Sequence, residues 1–303
     1  MIGRCFRPCP AGLVLLLGCE SVFGSSSSLS GRVLFTREMP DSSLAIHLMK
    51  PDGSEIERLK WIDSLMLIIP RVSPDGRRVA MVGFPKAGGI QRPYLMDRDG
   101  FNFRALPNGN GGGPPSWSPD SRELVFPCVD DNHADGESNK AICIIGVDGS
   151  NLRRINHSAF LSLFPAWSPD GLRIAYISDS LGGNFDIFTM NPQGGDVQQV
   201  TDTDEDESGP AWSPDGTRLA FWRSESSGPS HIHLIQSSGT GEVPLSPDGI
   251  DASGPTWSAD GEEIWYFAAG QLYAVQPDGT GLRQVTQSIR QASWPGFGPP
   301  ARP

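Results

Sequence analysis

Short apolar runs separated by turn-forming residues follow one another along most of the chain. Five segments share a pattern in which a tryptophan or valine precedes Ser-Pro-Asp-Gly or a close variant, followed by a second apolar run. Proline sets its own backbone angle φ, aspartate bonds the local backbone, and glycine accepts a positive φ. The pattern therefore predicts a strand, a tight turn and a returning strand in each segment.

The five segments recur at a nearly constant distance. They are RVSPDGRRVAMVG, SWSPDSRELVFPC, AWSPDGLRIAYIS, AWSPDGTRLAFWR and TWSADGEEIWYFA, and the residues before their first serine are Val72, Trp117, Trp167, Trp212 and Trp257. The steps between these positions are 45, 50, 45 and 45 residues. Such a period is typical of a four-stranded propeller blade.

A second apolar string follows the first motif and occurs six times: IHLMKPDG, PYLMDRDG, ICIIGVDG, IFTMNPQG, IHLIQSSG and LYAVQPDG. The sixth copy of the first motif is divided between the ends of the chain. Residues 32–38 match the returning strand, and residues 292–295 match the tryptophan strand, with Trp294 as its tryptophan. We therefore predict an all-β, six-bladed β-propeller of four-stranded antiparallel blades over residues 32–295. Its amino- and carboxyl-terminal strands share one blade, which removes free sheet edges.

The repeated S-P-D-G-x-R core and its preceding tryptophan resemble the TolB-like β-propeller repeats over nearly all of that range. Residues 178–195 (SDSLGGNFDIFTMNPQGG) resemble an inter-strand hairpin of that family. The resemblance implies a non-catalytic envelope binding or scaffold protein, because TolB propellers engage peptidoglycan-associated lipoprotein and accept an extended peptide in the channel. Only the propeller half is matched: the repeats start directly after residue 31, so we do not expect the family's additional amino-terminal α/β domain.

The first 31 residues have the features of an export signal and a tether. Arg4 and Arg7 precede a short apolar stretch, no acidic residue occurs in residues 1–18, and Leu-Leu-Gly precedes Cys19, which resembles a bacterial lipobox. We predict a signal peptide over 1–18, lipidation of Cys19, a Ser-rich tether over 19–31 and a Pro-rich tail over 296–303. The protein would be exported, either periplasmic or lipid-anchored at the outer membrane. The alternative is an ordinary signal peptide in which Cys19 has no role.

Composition narrows the possible partners. The formal net charge of −11 has the wrong sign for a protein that neutralises nucleic-acid phosphates. The 36 glycines and 27 prolines argue against a helical bundle, and no apolar run approaches the roughly 20 residues of a membrane-spanning helix. We expect a monomer that binds an envelope protein or peptide, with membrane contact only through a lipid anchor.

Acidic residues mark one end of the predicted channel. Asp206 and Asp251 each lie six residues before a repeated tryptophan, in adjacent blades, so they start two of the inner strands. Together with Asp202 and Asp204 they predict an acidic channel mouth that attracts a cationic segment, such as a basic peptide. No cofactor is required, although the D-x-D-x-D spacing of residues 202–206 leaves calcium as an alternative.

Other metal motifs are weaker. Residues 130–137 begin like an EF-hand loop, but the position of the required glutamate is Ile142 in a core strand. His231 and His233 lie on one strand face, a spacing that metal sites use. In the other blades the column of His233 holds mainly aromatic residues, which predicts a packed ring instead.

Two cysteines, Cys128 and Cys143, remain in the predicted domain after removal of the signal peptide and lipidation of Cys19. Aligning the blades predicts that Phe126 faces Cys143 and that Cys128 faces Ala141. The cysteines would then be diagonal neighbours, which are usually too far apart for an unstrained disulfide. We expect two buried thiols, with a disulfide as the alternative.

The chain carries no G-x-S-x-G nucleophile motif. The repeated tryptophans coincide with the turns, which favours packing between blades over ligand stacking. A non-catalytic binding protein is the preferred interpretation. The alternative is a propeller enzyme, a lyase or hydrolase built from loops, acting on an exported polymer.

Overall fold

The structure, a computed structural model, describes residues 31–39, 43–129, 140–156, 161–179, 183–225, 228–286 and 292–297. The predicted signal peptide, Cys19, nearly all of the tether, the loop at 130–137 and most of the Pro-rich tail lie outside the described residues.

The described residues form six four-stranded antiparallel sheets, which confirms the predicted all-β, six-bladed propeller. Blade one contains β24 (Ala292–Phe297), β1 (Val33–Glu38), β2 (Leu44–Met49) and β3 (Glu57–Lys60). Blade two contains β4 (Leu65–Val72), β5 (Arg78–Pro85), β6 (Arg92–Asp97) and β7 (Arg104–Ala105). Blade three contains β8 (Ser116–Trp117), β9 (Glu123–Val129), β10 (Lys140–Gly146) and β11 (Arg153–Arg154).

The remaining three blades repeat the same strand order. Blade four contains β12 (Ser162–Trp167), β13 (Ile174–Ser178), β14 (Asp186–Met190) and β15 (Gln198–Gln199). Blade five contains β16 (Asp206–Trp212), β17 (Arg218–Ser224), β18 (Ser230–Gln236) and β19 (Val243–Pro244). Blade six contains β20 (Ala252–Trp257), β21 (Ile264–Ala268), β22 (Gln271–Val275) and β23 (Arg283–Gln284).

The first strand of each blade lies at the centre of the molecule. These inner strands, β4, β8, β12, β16, β20 and β24, contact one another in a closed ring. Pairing of β24 with β1 closes the propeller as predicted. The outermost strand is two residues long in five of the six described blades, so little unpaired sheet edge is exposed.

A bulge interrupts the ladder of most inner strands. Ile69, Phe164, Gly209 and Gly254 open bulges with φ between 50° and 62°. The next residue is proline in each case, and proline suits a bulge because it has no N–H to donate to the ladder.

The closing strand β24 has the same kind of bulge, and its register differs from the predicted one at a single position. The register places Gly296 opposite Leu34 and Ser293 opposite Thr36, so Trp294 and Pro295 occupy the bulge. The tryptophan position of this strand is therefore held by Phe297, and the assignment of Trp294 to it was wrong. The proline two residues before the position identifies it better than an isolated tryptophan does.

Cys128 and Cys143 form a disulfide between β9 and β10, so the expectation of two free thiols was wrong. The predicted register is correct, since Cys128 lies opposite Ala141 and Cys143 opposite Phe126. The two Cα atoms are nevertheless only 5.7 Å apart, within the usual disulfide range. We attribute the short distance to the twist of paired strands, which shortens one of the two diagonals.

Aromatic pairs between the second and third strands contribute to the core of blades one, four, five and six. Ring centroids lie 5.5–5.9 Å apart in the pairs Phe35–His47, Tyr176–Phe188, Phe221–His233 and Tyr266–Tyr273. His233 is therefore a packed ring, as predicted from its column. Within the described part of the chain, no helix has the length and apolarity needed to cross a membrane.

Candidate functional site

Each repeated Ser-Pro-Asp turn is held by its own side chains. The serine hydroxyl donates to the aspartate Oδ1 at 2.5–2.7 Å in blades two to six. This hydrogen bond is the main cause of a lowered pKa at Asp120, Asp170 and Asp260, and it brings the pKa of Asp215 to about 2. The turns form a rigid border at the end of the channel where the inner strands finish, which we name the tryptophan mouth.

The repeated tryptophans join neighbouring blades at this mouth. The indole N–H groups of Trp117, Trp212 and Trp257 donate to the backbone oxygens of Arg71, Ala166 and Ala211 in the preceding blade, at 2.9–3.1 Å. Trp167 instead donates to its own turn, at the oxygen of Gly171. Arginines of the S-P-D-G-x-R motif stack on the next tryptophan, since Arg78 covers Trp117 and Arg218 covers Trp257. The structure thus agrees with packing between blades.

The same tryptophans also border a cavity of about 470 Å³ on the propeller axis, within the size range of ligand sites. We name it the axial cavity. Two sets of prolines line it, one from the inner strands (Pro115, Pro165, Pro210, Pro255) and one from the turns (Pro74, Pro119, Pro169, Pro214). The wall is therefore mostly apolar, although the tryptophan position was expected to serve packing alone.

One glycine gives a tryptophan of the second strand access to the cavity. A Cβ on Gly209 would lie 1.7 Å from the ring of Trp222, so only glycine leaves room for this ring to cross the inner strand. Trp222 then meets Phe164 of the neighbouring blade edge-on, with centroids 5.5 Å apart. Both rings line the axial cavity. In the sequence, this feature is marked by a glycine at the bulge position of blade five. Blades two and four have Ile69 and Phe164 at the equivalent position.

Arg71 is the sole charged residue among the described residues that line the axial cavity. Its Nη1 donates to the backbone oxygen of Pro295 at 2.8 Å. Burial lowers the pKa of its guanidinium to about 10, so the group stays protonated at neutral pH. The sequence pattern did not single out this residue, because the position that repeats between blades is that of its neighbour, Val72.

The predicted acidic residues lie at the opposite end of the inner strands, which we name the acidic mouth. Asp202, Asp204, Asp206 and Asp251 are all exposed there. Oδ1 of Asp206 accepts from the N–H of Phe185 in the preceding blade at 2.8 Å, and Oδ1 of Asp251 accepts from Ser230 at 3.0 Å. Each of these two carboxylates therefore also ties its blade to the previous one.

A buried charge network lies beside the acidic mouth. Glu207 is fully buried, and its Oε1 accepts from Arg223 Nε and Thr203 Oγ1, both at 2.7 Å. Arg223 also pairs with Glu242, whose Oε1 lies 2.8 Å from His233 Nδ1. The carboxyl of Asp186 in blade four faces Glu207, and burial, followed by that negative charge, raises the pKa of Asp186 to about 6. The network is structural, since it joins blades four and five.

Metal ligands are not concentrated anywhere in the described ranges. No group of three or more His, Cys, Asp or Glu side chains is placed to hold a metal ion among these residues. The histidines His231 and His233 face Glu225 and Glu242 respectively.

Comparison with known proteins places the fold. The family model described as the TolB beta propeller domain matches residues 19–300. A protein TolB homolog from Chlorobium chlorochromatii is 30% identical over 166 residues, covering 54% of this chain and 33% of that protein. The chain thus spans about a third of the length of this relative.

Solved structures of low identity share the architecture. The crystal structure of TolB from Acinetobacter baumannii matches with a TM-score of 0.75 and 19% identity, covering 90% of this chain and 67% of that one. Oligogalacturonate lyase from Vibrio parahaemolyticus matches with a TM-score of 0.59 and 13% identity, covering 84% and 74% of the two chains. These likenesses show the fold alone. Because the family model matches most of the chain, this protein belongs to the TolB β-propeller domain family.

Proposed function

We propose that this protein is an exported, non-catalytic binding protein of the cell envelope, whose channel receives a segment of a protein or peptide partner. The axial cavity is the observation that carries the proposal. It is bordered by rigid turns and by tryptophans held through their indole N–H groups, so its shape is preorganised. A preformed apolar site loses little conformational entropy on binding.

The chemistry of the wall suits an extended chain. Prolines and tryptophan rings offer apolar contacts, and aromatic-lined grooves are a common way of binding proline-rich extended peptides. Peptidoglycan-associated lipoprotein is the partner that we propose first, from the family to which the chain belongs. The relative from Chlorobium chlorochromatii is named a TolB homolog, which supports this partner by analogy of fold.

Export and a lipid anchor on Cys19 remain part of the proposal. The disulfide between Cys128 and Cys143 supports export, since disulfides persist mainly in oxidising compartments. The proposal requires no cofactor. Calcium at residues 202–206 and a loop-built enzyme site are the alternatives, and the wall of the axial cavity favours binding because its described side chains include no carboxylate or imidazole that could act as a base.

Blocking the axial cavity tests the proposal. Ala211 lines the cavity, so Ala211→Trp should fill part of it, whereas Val197→Trp adds the same ring on the exposed outer surface, where Val197 is 55% exposed. We expect Ala211→Trp to weaken binding of the soluble domain of the organism's peptidoglycan-associated lipoprotein by about tenfold or more, through loss of a buried contact region. Calorimetric titration with the purified full chain measures this.

Both variants are first compared with the natural chain by thermal unfolding, so that misfolding is recognised. Equal affinities in the two tryptophan variants would contradict the channel as the binding site. If the natural chain does not bind this lipoprotein, that partner is wrong, and the same pair of variants is then used in affinity capture from envelope extract. A protein that is retained by the natural chain and Val197→Trp but lost with Ala211→Trp identifies the channel partner.

A further inference from the structure

Arg71 breaks the sixfold repetition of the channel wall. The residue before the tryptophan position is small in the other five inner strands: Ser116, Ala166, Ala211, Thr256 and Gly296. Only blade two places a long cationic side chain at this point. The guanidinium lies over Gly296, since a Cβ on that glycine would be 3.8 Å from Nη1.

No carboxylate neutralises this guanidinium among the residues that the structure describes. Within the described part of the chain, its side chain donates a hydrogen bond to the backbone oxygen of Pro295. Burial alone lowers its pKa, with no contribution from a nearby charge. Arginine presents five N–H donors, so the hydrogen bond to Pro295 uses only a small part of the donor capacity of a residue that lines the cavity.

A cation in an apolar wall is normally paired, because an isolated charge is poorly solvated there. All other described lining residues of the axial cavity are uncharged. A negatively charged group of a ligand would therefore find one charged partner in this cavity, within a wall that is otherwise uncharged and mostly apolar. Arginine is well suited to this task, because its planar fork matches a carboxylate with two parallel hydrogen bonds.

We propose that the axial cavity binds an extended peptide segment through a carboxylate that pairs with Arg71. This deepens the proposed function, on which it rests, by naming the chemistry that the channel recognises. The carboxylate comes from the end of a chain or from an acidic side chain. The acidic mouth favours basic residues in the rest of the segment. It lies about 20 Å from the tryptophan mouth, the length of the seven-residue inner strand β16. A segment with a carboxylate at the tryptophan mouth and basic residues toward the acidic mouth would complement both ends.

Three synthetic peptides distinguish the two sources of the carboxylate. All are amino-terminally labelled with an uncharged BODIPY dye and share the sequence Pro-Pro-Ala-Pro-Ala. The first ends in a free carboxylate, the second ends in an amide, and the third is amidated with glutamate in place of the central alanine. Fluorescence anisotropy with the purified full chain at low salt measures each affinity.

We expect the first or the third peptide to bind about tenfold more tightly than the neutral amide, a difference typical of a charge-assisted hydrogen bond. Arg71→Gln should reduce that ratio to about one, and Arg71→Lys should retain part of it. Arg77→Gln is the matched control, since Arg77 is an exposed arginine in the turn of the same blade. Thermal unfolding of all three variants separates a loss of the Pro295 contact from a loss of recognition.

The inference is overturned if the natural chain binds none of the peptides, or if the ratio between charged and neutral peptides is unchanged by Arg71→Gln. These results leave the proposed function intact when Ala211→Trp still abolishes binding of the protein partner. Conversely, equal partner binding by Ala211→Trp and Val197→Trp rejects the channel itself, whatever the peptides do.

Discussion

The carboxyl group of Asp186 lies in the interface between blades four and five, where its ionised form is unfavourable. It is 4% exposed, and Glu207 of the next blade faces it. Its pKa of about 6 lies above the value of about 3.9 expected in the unfolded chain. Ionisation therefore destabilises the folded protein: the penalty is absent below about pH 4 and complete above about pH 6.

Replacing Asp186 by asparagine should remove this penalty. Asn keeps an oxygen that can accept the contact now given by Thr203 N–H, and its amide can donate toward Glu207, whose Oε2 has no hydrogen-bond partner among the described residues. We expect Asp186→Asn to raise the free energy of unfolding by about 1–2 kcal/mol at pH 8 and to change it little at pH 4. Urea denaturation at both pH values measures this.

Asp63→Asn serves as the control, because the side chain of Asp63 is 84% exposed and its nearest oxygen lies 3.7 Å from the ammonium of Lys86. Its effect should be small and similar at both pH values. A lower stability of Asp186→Asn at pH 8, or the same gain at pH 4, would contradict the account of this carboxyl pair.

Single residues were the hardest level to predict. The acidic mouth followed from spacing, because each of Asp206 and Asp251 keeps a constant distance to its tryptophan. The pairing of Asp186 with Glu207 could not follow from spacing, since it joins strands of different blades. Arg71 was equally hidden: its significance lies in the five small residues that occupy its position in the other blades.

At the level of the strand, the repeated proline carries more information than the repeated tryptophan. The pair formed by a bulge residue and proline occurs in the closing strand as Trp294 and Pro295, and the register there follows the proline. The sequence pattern predicted the pairing of the second and third strands correctly, down to the residues facing each cysteine. It did not predict the disulfide, because alternation alone describes a flat ladder and omits the twist.

Two aspartates at the beginning of inner strands, Asp206 in β16 and Asp251 directly before β20, allow a test of the acidic mouth. In the double variant Asp206→Asn with Asp251→Asn, each side-chain oxygen can still accept from Phe185 or Ser230, while two negative charges are lost. We expect unchanged thermal stability and an association rate with the protein partner that is about three- to tenfold lower at low ionic strength. Stopped-flow measurement at two salt concentrations tests both points.

The matched control is Asp148→Asn with Asp278→Asn, which removes the same charge from exposed outer turns. It should have a smaller effect on the association rate, because these residues lie far from the inner strands. The acidic mouth has no part in partner attraction if both double variants associate equally fast, or if the salt dependence is the same as in the natural chain.

For the whole molecule, the blade count followed directly from the sequence because every blade repeats the same turn chemistry. Closure between β24 and β1 followed from the divided sixth copy. The character of the channel did not follow, since an axial cavity is made by six strands that are distant in sequence. Its two ends differ: the axial cavity bordered by the tryptophan mouth is mostly apolar, with Arg71 as the sole charged residue among its described lining residues, and the acidic mouth carries exposed carboxylates.

The central claim is that a segment of a partner binds in the axial cavity, which the turns of the tryptophan mouth border. Leu172 lies in a turn at this mouth and is 68% exposed, whereas Val197 is 55% exposed on the outer surface. Replacing either residue by the photo-crosslinking amino acid benzoylphenylalanine leaves the axial cavity unfilled. Irradiation of cells that produce each variant, followed by mass spectrometry of the crosslinked products, is the most direct measurement. We predict a discrete envelope partner crosslinked from position 172 and none from position 197; crosslinks of equal yield from both positions, or from position 197 alone, would contradict the account.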